Sequence, residues 1–113
     1  MVSVIVNNYN YGHFLKACLT SVVTQDYPNF ECLVVDDAST DNSASVVEDW
    51  IGENPSDRRF ELLVRPENGG QMAALRTGIE QASGAFLAFL DADDLLLTDF
   101  LSKHLAAHLE LPT

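Results

Sequence analysis

A six-residue apolar run that ends in a cluster of acids constrains the fold of this 113-residue chain more than any other feature. The run covers residues 85–90, follows Gly84, and leads into Asp91, Asp93 and Asp94. Short apolar runs bounded by glycine are typical of buried strands. Carboxylates are costly to bury without a partner, so acids directly after such a strand predict a cation, a network of donors or water at the strand's end.

The spacing of these acids predicts a metal site. Asp91 and Asp93 are two residues apart, so in an extended segment their side chains point to the same side. Carboxylate oxygens are the ligands that Mg²⁺ and Mn²⁺ prefer, and the phosphates of a substrate commonly complete the shell. We therefore expect a divalent cation, Mn²⁺ or Mg²⁺, bound together with a nucleotide.

Four apolar runs alternate with four helix-like stretches along the whole chain. Strands separated by helices of about 12 residues predict a mostly parallel sheet with flanking helices, a Rossmann-like α/β fold in the order βαβαβαβα. Ligands of such sheets bind beyond the carboxyl ends of the strands. The predicted strands are 2–6, 30–35, 60–64 and 85–90, and the predicted helices are 12–24, 39–52, 71–82 and one from about 98.

The charge of the chain restricts its partners. With 17 acidic and 6 basic residues, the formal net charge is −11. Such a surface repels nucleic acid and anionic lipid, so neither is expected as a partner. An acidic protein that binds an anionic nucleotide needs a local cation, which the acid cluster can recruit.

Length and cysteine usage indicate one domain, residues 1–113, in a reducing compartment. Cys18 and Cys32 have no metal-binding or redox spacing, so we expect two buried, reduced thiols and a cytoplasmic location. No apolar stretch approaches the ~20 residues of a membrane span, and no signal peptide is recognisable.

Polar residues also follow the first two predicted strands. Asn7 and Tyr9 follow the first strand, where a ring and amide groups can contact a nucleobase, although an Asn-rich capping turn is the simpler interpretation. Asp36 and Asp37 end the second strand. One of the two can accept from a base or ribose, while the other fixes the turn.

A glycine loop precedes the third predicted helix. Gly70 allows the backbone to approach a ligand closely at a helix N-terminus, although most such glycines only form a turn. Arg76, on the same helix, can pair with a phosphate or with a carboxylate.

Taken together, these stretches resemble the N-terminal half of the family 2 glycosyltransferases of the GT-A fold. The resemblance covers nearly the whole chain. It is carried, in order, by residues 2–6 with Tyr9-Asn10, residues 21–28, residues 30–41 ending in Asp36-Asp37-Ala38-Ser39-Thr40-Asp41, residues 67–70, and residues 84–94 ending in Asp91-Ala92-Asp93-Asp94. Each motif alone is weak, but their order and spacing are specific.

The resemblance implies a site for a nucleoside-diphosphate sugar of the UDP or GDP type. Carried over to this chain, Tyr9 lies against the base and Asn7 beside it, and Asp37 accepts from the base with Asp36 nearby. Asp91 and Asp93 correspond to the metal-binding DxD pair, with Asp91 near the ribose or a metal-bound water and Asp93 on the cation.

The resemblance also implies what this chain lacks. In the family, the carboxylate that deprotonates the acceptor hydroxyl lies C-terminal to every residue present here. We therefore expect a domain truncated at its C-terminus, with no assignable catalytic base, that binds the donor and transfers little sugar alone. The family further implies inversion at the sugar, an unknown acceptor and a role in cell-surface polysaccharide synthesis. Asn7-Asn8 departs from the family, which often has Pro-Thr there.

Other functions fit the sequence less well. A phospho-acceptor receiver domain needs its acidic pair after the first strand, where this chain has Asn7-Asn8, and a lysine after a fifth strand. A haloacid-dehalogenase-like phosphatase also places its Asp-x-Asp after the first strand. A nucleotidyltransferase needs a basic, glycine-rich loop. A non-catalytic nucleotide-binding module remains an alternative.

Overall fold

The computed structural model describes the backbone of residues 1–110 and their side chains except 104 and 107–110. Strands and helices alternate strictly. Their bounds are β1 Val2–Asn8, α1 Gly12–Val23, β2 Phe30–Asp36, α2 Ser43–Glu53, β3 Phe60–Val64, α3 Gln71–Gln81, β4 Phe86–Asp91 and α4 Phe100–Glu110. The four strands form one sheet in the order β3-β2-β1-β4, and every neighbouring pair is parallel. The predicted α/β fold is confirmed, whereas the predicted C-terminal truncation stays a prediction.

The sheet lies between two helical layers because successive side chains of each strand point to opposite faces. On one face, Val4 and Val6 of β1 join a large core with α1, α2 and the start of α4. On the other face, Ile5 of β1 packs with Val35 and with Ala74 of α3. Strands buried on both faces explain the continuous apolar runs of the sequence.

Several element boundaries differ from the prediction by one or more residues, and two of them differ for a common reason. β1 extends two residues beyond 2–6, because Asn7 and Asn8 continue the ladder and Asn8 is buried against Asp36. α2 begins at Ser43 rather than at 39–41, because the intervening residues bond to the loop after β1. Polar residues predicted to be loops or caps are therefore used in contacts between elements.

The start of β4 needs glycine at position 84. A Cβ there would lie 2.6 Å from Ser3 Oγ, 2.7 Å from the Met1 carbonyl oxygen and 2.8 Å from the Ser3 nitrogen. Two of these atoms are backbone atoms at the start of β1 and just before it, and they cannot move without disturbing the sheet. We expect Gly84→Ala to lower the free energy of unfolding by about 2 kcal/mol, the usual cost of overpacking.

Gly52 provides a matched control for this substitution. A Cβ at Gly52, in α2, meets nothing within 4 Å. Because alanine is the better helix former, Gly52→Ala should raise the free energy of unfolding by roughly 0.5–1 kcal/mol. Urea denaturation of both variants measures the two changes, and an equal effect of the two substitutions would contradict the packing at the start of β4.

Candidate nucleotide and metal site

The carboxyl ends of three strands bring the predicted acids to one edge of the sheet. β1 lies between β2 and β4, with Asn8 opposite Asp36 and Asn7 opposite Asp91. The Asp36-Asp37 pair and the acids after β4 therefore flank the end of β1 on its two sides. This topology favours one crevice at that edge, the place where α/β sheets bind their ligands.

The acids after β4 lie on a tight turn. β4 ends at Asp91, and the Asp94 N–H donates to the Asp91 carbonyl over 2.9 Å. The Asp94 carboxylate in turn accepts from the Asp91 N–H over 3.1 Å. Asp91 and Asp93 do lie on one side, but the predicted reason is wrong. A turn, rather than the alternation of side chains along an extended strand, brings the two carboxylates together.

We call Asp91, Asp93 and Asp94 the acid triad. Each offers one carboxylate oxygen, and these oxygens lie within 4.8 Å of one another; all three residues are exposed. Three like charges so close repel one another, and this repulsion is relieved by a cation. Their donor set is all oxygen, so it fits Mn²⁺ or Mg²⁺ with open positions left for a phosphate.

Asp36 and Asp37 have separate sets of partners. The buried Asp36 accepts from Asn8 Nδ2 over 2.8 Å, and from the Ser39 hydroxyl over 2.5 Å and the Ser39 N–H over 3.1 Å. Asp36 therefore fixes the turn after β2. Its predicted proximity to a nucleotide is not tested by these contacts.

Asp37 holds the glycine loop and an arginine. Its carboxylate, also buried, accepts from Arg65 Nε over 2.8 Å, from the Gly69 N–H over 3.1 Å and from the Gly70 N–H over 2.8 Å. Gly70 has φ of 89°, a left-handed conformation that favours glycine. The predicted contacts of Asp37 with a base and of Gly70 with a donor stay predictions, and both groups already have partners within the chain.

The loops after β1 and β2 are joined by side-chain hydrogen bonds. Asn10, with φ of 60°, accepts from the Thr40 N–H over 2.8 Å, while Ser39 Oγ accepts from the Asn10 N–H over 3.0 Å. Asn7 is half-buried, and Tyr9 next to the joined loops is 42% exposed. A ring held by a rigid loop and open to solvent suits stacking, which is the role predicted for Tyr9.

Asp41 serves the first turns of two helices. One of its oxygens accepts from the Gly12 N–H at the start of α1, and the other from the N–H and hydroxyl of Ser43 at the start of α2. Burial pushes the pKa of Asp41 upward, but the Ser43 and Gly12 hydrogen bonds outweigh it and leave the pKa below its ordinary value. The loops that frame the crevice thus share one anchor.

Arg76 lies apart from these groups. It is exposed on α3, where it lines a groove with Met72, Ile79 and Phe89. It follows Gln71 by five residues, about 7.5 Å along the helix axis. Gln71, rather than Arg76, is the α3 residue next to the acid triad, with Nε2 3.4 Å from Asp91 Oδ1. Phosphate binding by Arg76 stays a prediction.

Three residues of this region were not predicted as site residues. Asp94 is identified from the sequence only as a third acid. Its spacing of three residues from Asp91 is typical of a turn, and this spacing is the signal for its role. Arg65 directly follows β3, next to the strand that ends in Asp36-Asp37, which is a usable signal in a chain with six basic residues. Nothing in the sequence distinguishes Gln71.

Both cysteines are buried and free, as predicted. Cys18, on α1, lies close to the backbone of the acid triad, with Sγ 4.0 Å from the Asp91 carbonyl oxygen. Burial raises the pKa of the Cys18 thiol from 9.0 to about 12, and the charges of Asp94 and Asp93 add to the rise. Burial also raises the pKa of Cys32. Neither thiol is therefore a nucleophile at neutral pH.

The raised thiol pKa predicts a loss of stability in alkali. Above pH 9 the unfolded chain releases the Cys18 proton while the folded chain keeps it, so the free energy of unfolding falls as pH rises. Cys18 contributes at most about 1.4 kcal/mol per pH unit to this slope. Urea denaturation from about pH 8 to about pH 10.5 should give a shallower decline for Cys18→Ala than for the wild type. Equal slopes would contradict the buried position of this thiol.

Fold and site together define a Rossmann-like α/β domain with a cluster of acids at the carboxyl edge of its sheet. Comparison with known proteins gives the family: residues 3–113 match the model of glycosyl transferase family 2. The chain belongs to this family, which confirms the resemblance read from its motifs.

Three known proteins illustrate the relationship. The UDP-Glc:alpha-D-GlcNAc-diphosphoundecaprenol beta-1,3-glucosyltransferase WfgD of Escherichia coli is 37% identical over 97% of this chain and 42% of its own length. The mannosyltransferase PcManGT of Pyrobaculum calidifontis, solved with GDP-Man and Mn²⁺, superposes with a TM-score of 0.90 and 36% identity over 99% of this chain and 33% of its own. Staphylococcus aureus TarS 1–349, solved with UDP-GlcNAc, superposes with a TM-score of 0.82 and 32% identity over 93% of this chain and 30% of its own.

The chain thus spans less than half of each of these proteins. Within residues 1–110, no helix has the length and apolar character needed to cross a bilayer.

Proposed function

We propose that this chain is the donor-binding part of a metal-dependent glycosyltransferase that uses a nucleoside-diphosphate sugar of the UDP or GDP type. The observation that carries the proposal is the acid triad at the carboxyl edge of a parallel sheet, beside the end of β1. Relatives at 32–36% identity over nearly the whole chain were solved with GDP-Man and Mn²⁺ and with UDP-GlcNAc, which supports this ligand class.

The residues of the crevice divide the work of holding the donor. Asp91 and Asp93 hold the Mn²⁺ or Mg²⁺, and Asp94 fixes the turn that presents them. When bound, the cation offsets the negative charge of the diphosphate leaving group. Tyr9 and Asn7 lie toward the base. Asp37 and Gly70 shape the part of the crevice between the end of β2 and the start of α3.

The chemistry of transfer requires a base. In our proposal the sugar is transferred with inversion, and a carboxylate takes the proton from the acceptor hydroxyl. We assign this base to no residue of this chain. The acceptor is of the type used in cell-surface polysaccharide synthesis, and the reaction takes place on the cytoplasmic side of the membrane. Residues 1–113 alone bind the donor and transfer little sugar.

Calorimetric titration of UDP and of GDP into the chain, in Mn²⁺ and then in EDTA, tests the proposal. We expect one nucleotide to bind in Mn²⁺ with an affinity at least tenfold higher than in EDTA, because a cation held by Asp91 and Asp93 would offset the charge of the diphosphate. ADP is the control for base selection. A folded chain that binds no nucleotide under either condition would contradict the proposal.

A further inference from the structure

Arg65 lies where β2, β3 and α3 meet. It follows the last residue of β3, and its N–H donates to the Asp36 carbonyl over 2.8 Å, which continues the ladder between β2 and β3. Its side chain is 21% exposed and contacts Asp37 through Nε over 2.8 Å. One guanidinium nitrogen also donates to Thr77 Oγ1 of α3 over 2.7 Å. Arg65 therefore extends the β2–β3 ladder through its backbone and joins Asp37, just after β2, to α3 through one rigid planar group.

The partner of Arg65 in turn sets the loop before α3. Asp37 has a 3% exposed side chain and accepts from both glycine N–H groups of that loop. Both glycines are exposed, but their N–H groups converge on this one carboxylate, so Asp37 fixes the path of the loop. Without a guanidinium beside it, the Asp37 carboxylate would be a buried charge without a cation, which is a costly state.

The same loop ends next to the acid triad. Gln71 is the first residue of α3, and its side-chain amide lies 3.4 Å from Asp91 Oδ1. A continuous series of contacts thus runs from Arg65 through Asp37, Gly70 and Gln71 to Asp91. Arg65 and the acid triad thus lie at the two ends of one series of contacts, with the glycine loop between them.

We propose that Arg65 is a positioning residue of the donor site, which holds the glycine loop and Gln71 in place through Asp37 and contacts no ligand itself. The inference rests on the proposed function, since it assigns a role within the same crevice. It predicts that a change at Arg65 weakens nucleotide binding more than metal binding. The acid triad is formed by β4 and its own turn, whereas the loop beside it is held through Asp37.

The test compares two arginine–aspartate pairs at opposite ends of the sheet. Arg59 pairs with Asp57 over 2.7 Å and lies over the Phe30 ring at 4.0 Å, at the amino end of the strands. Arg65→Met and Arg59→Met remove equivalent charges, and Arg65→Lys keeps the charge but loses the planar fork. We measure the melting temperature, the affinity for Mn²⁺ alone, and the affinity for UDP and GDP in saturating Mn²⁺.

We expect both methionine variants to melt at lower temperature, but only the Arg65 variants to lose nucleotide affinity. Arg65→Met should weaken nucleotide binding at least tenfold, and Arg65→Lys should weaken it by a similar factor. The nucleotide affinity of Arg59→Met should stay within twofold of that of the wild type. Affinity for Mn²⁺ alone should change less than threefold in all variants. In amide hydrogen exchange, the Gly69 and Gly70 protons should lose protection only in the Arg65 variants.

Thr77→Val keeps the inference testable if the Arg65 variants do not fold. Valine has the shape of threonine but offers Arg65 no acceptor, so nucleotide affinity should fall about threefold while the fold persists. If the wild type binds nucleotide and these variants bind it equally well, the role of Arg65 is overturned and the proposed function stands. If the wild type binds no nucleotide in Mn²⁺, both are overturned.

Discussion

Asp93→Ala should lower the metal-dependent affinity for UDP or GDP at least 30-fold. Asp93 is an exposed member of the acid triad, and in our account it is a ligand of the cation that meets the diphosphate. Loss of one of the two carboxylate ligands should weaken binding of the cation. Without the cation, the nucleotide lacks its counter-charge in a protein of formal net charge −11. The measurement is the same calorimetric titration in Mn²⁺ and in EDTA.

The stability of this variant should move in the opposite direction. Asp93 repels its two neighbouring carboxylates, so its removal should leave the melting temperature unchanged or slightly raised in the absence of metal. Asp49→Ala is the matched control, because Asp49 is an exposed carboxylate on α2, away from the crevice. Equal nucleotide affinities for Asp93→Ala and Asp49→Ala would contradict the metal role of Asp93.

Asp37→Ala should lower the free energy of unfolding by about 3 kcal/mol, the typical cost of removing one partner of a buried ion pair. The substitution leaves the guanidinium of Arg65 without its carboxylate and deprives the N–H groups of Gly69 and Gly70 of their acceptor. Each donor that loses its acceptor adds to the loss. Urea denaturation measures the change, with an unaltered m-value showing that the unfolded state is unaffected.

Asp57→Ala is the control for this prediction. The Asp57–Arg59 pair has the same chemistry and a similar length of 2.7 Å, but its side chains are 16% and 32% exposed, against 3% and 21% for Asp37 and Arg65. Water can hydrogen-bond to Arg59 after Asp57 is removed, so the free energy of unfolding should fall by only about 1 kcal/mol. Equal losses for the two variants would show that Asp37 does not hold the glycine loop as described.

The fold could be predicted from the sequence because its signals are local. Runs such as residues 30–35 and 60–64 are mostly apolar, and the stretches between them carry apolar residues at helical spacing, so each element is indicated by its own residues. Parallel order then follows from the alternation. The limits of the elements were less accurate where polar residues make distant contacts, as at Asn8 and at the start of α2.

The site could be predicted only in part, for a related reason. Acids at strand ends mark the edge of the sheet, and the family motifs add the ligand class. The partners of Asp37, however, are Arg65 and Gly70, 28 and 33 positions further along the chain. No local pattern shows which of two adjacent aspartates will be used in this way. The turn at Asp94 depends on two hydrogen bonds that strand periodicity does not anticipate.

The central claim is that the acid triad holds a cation shared with the diphosphate of a nucleotide. The most direct test is an amide NMR spectrum of the chain with UDP or GDP, recorded while Mn²⁺ is added in small steps. We predict that paramagnetic broadening first removes the signals of Ala92 to Leu95 and of Gln71, while Arg59 at the opposite edge persists, and that Asp93→Ala abolishes this order. Loss of signals in another region first, or the same order in Asp93→Ala, would contradict the account.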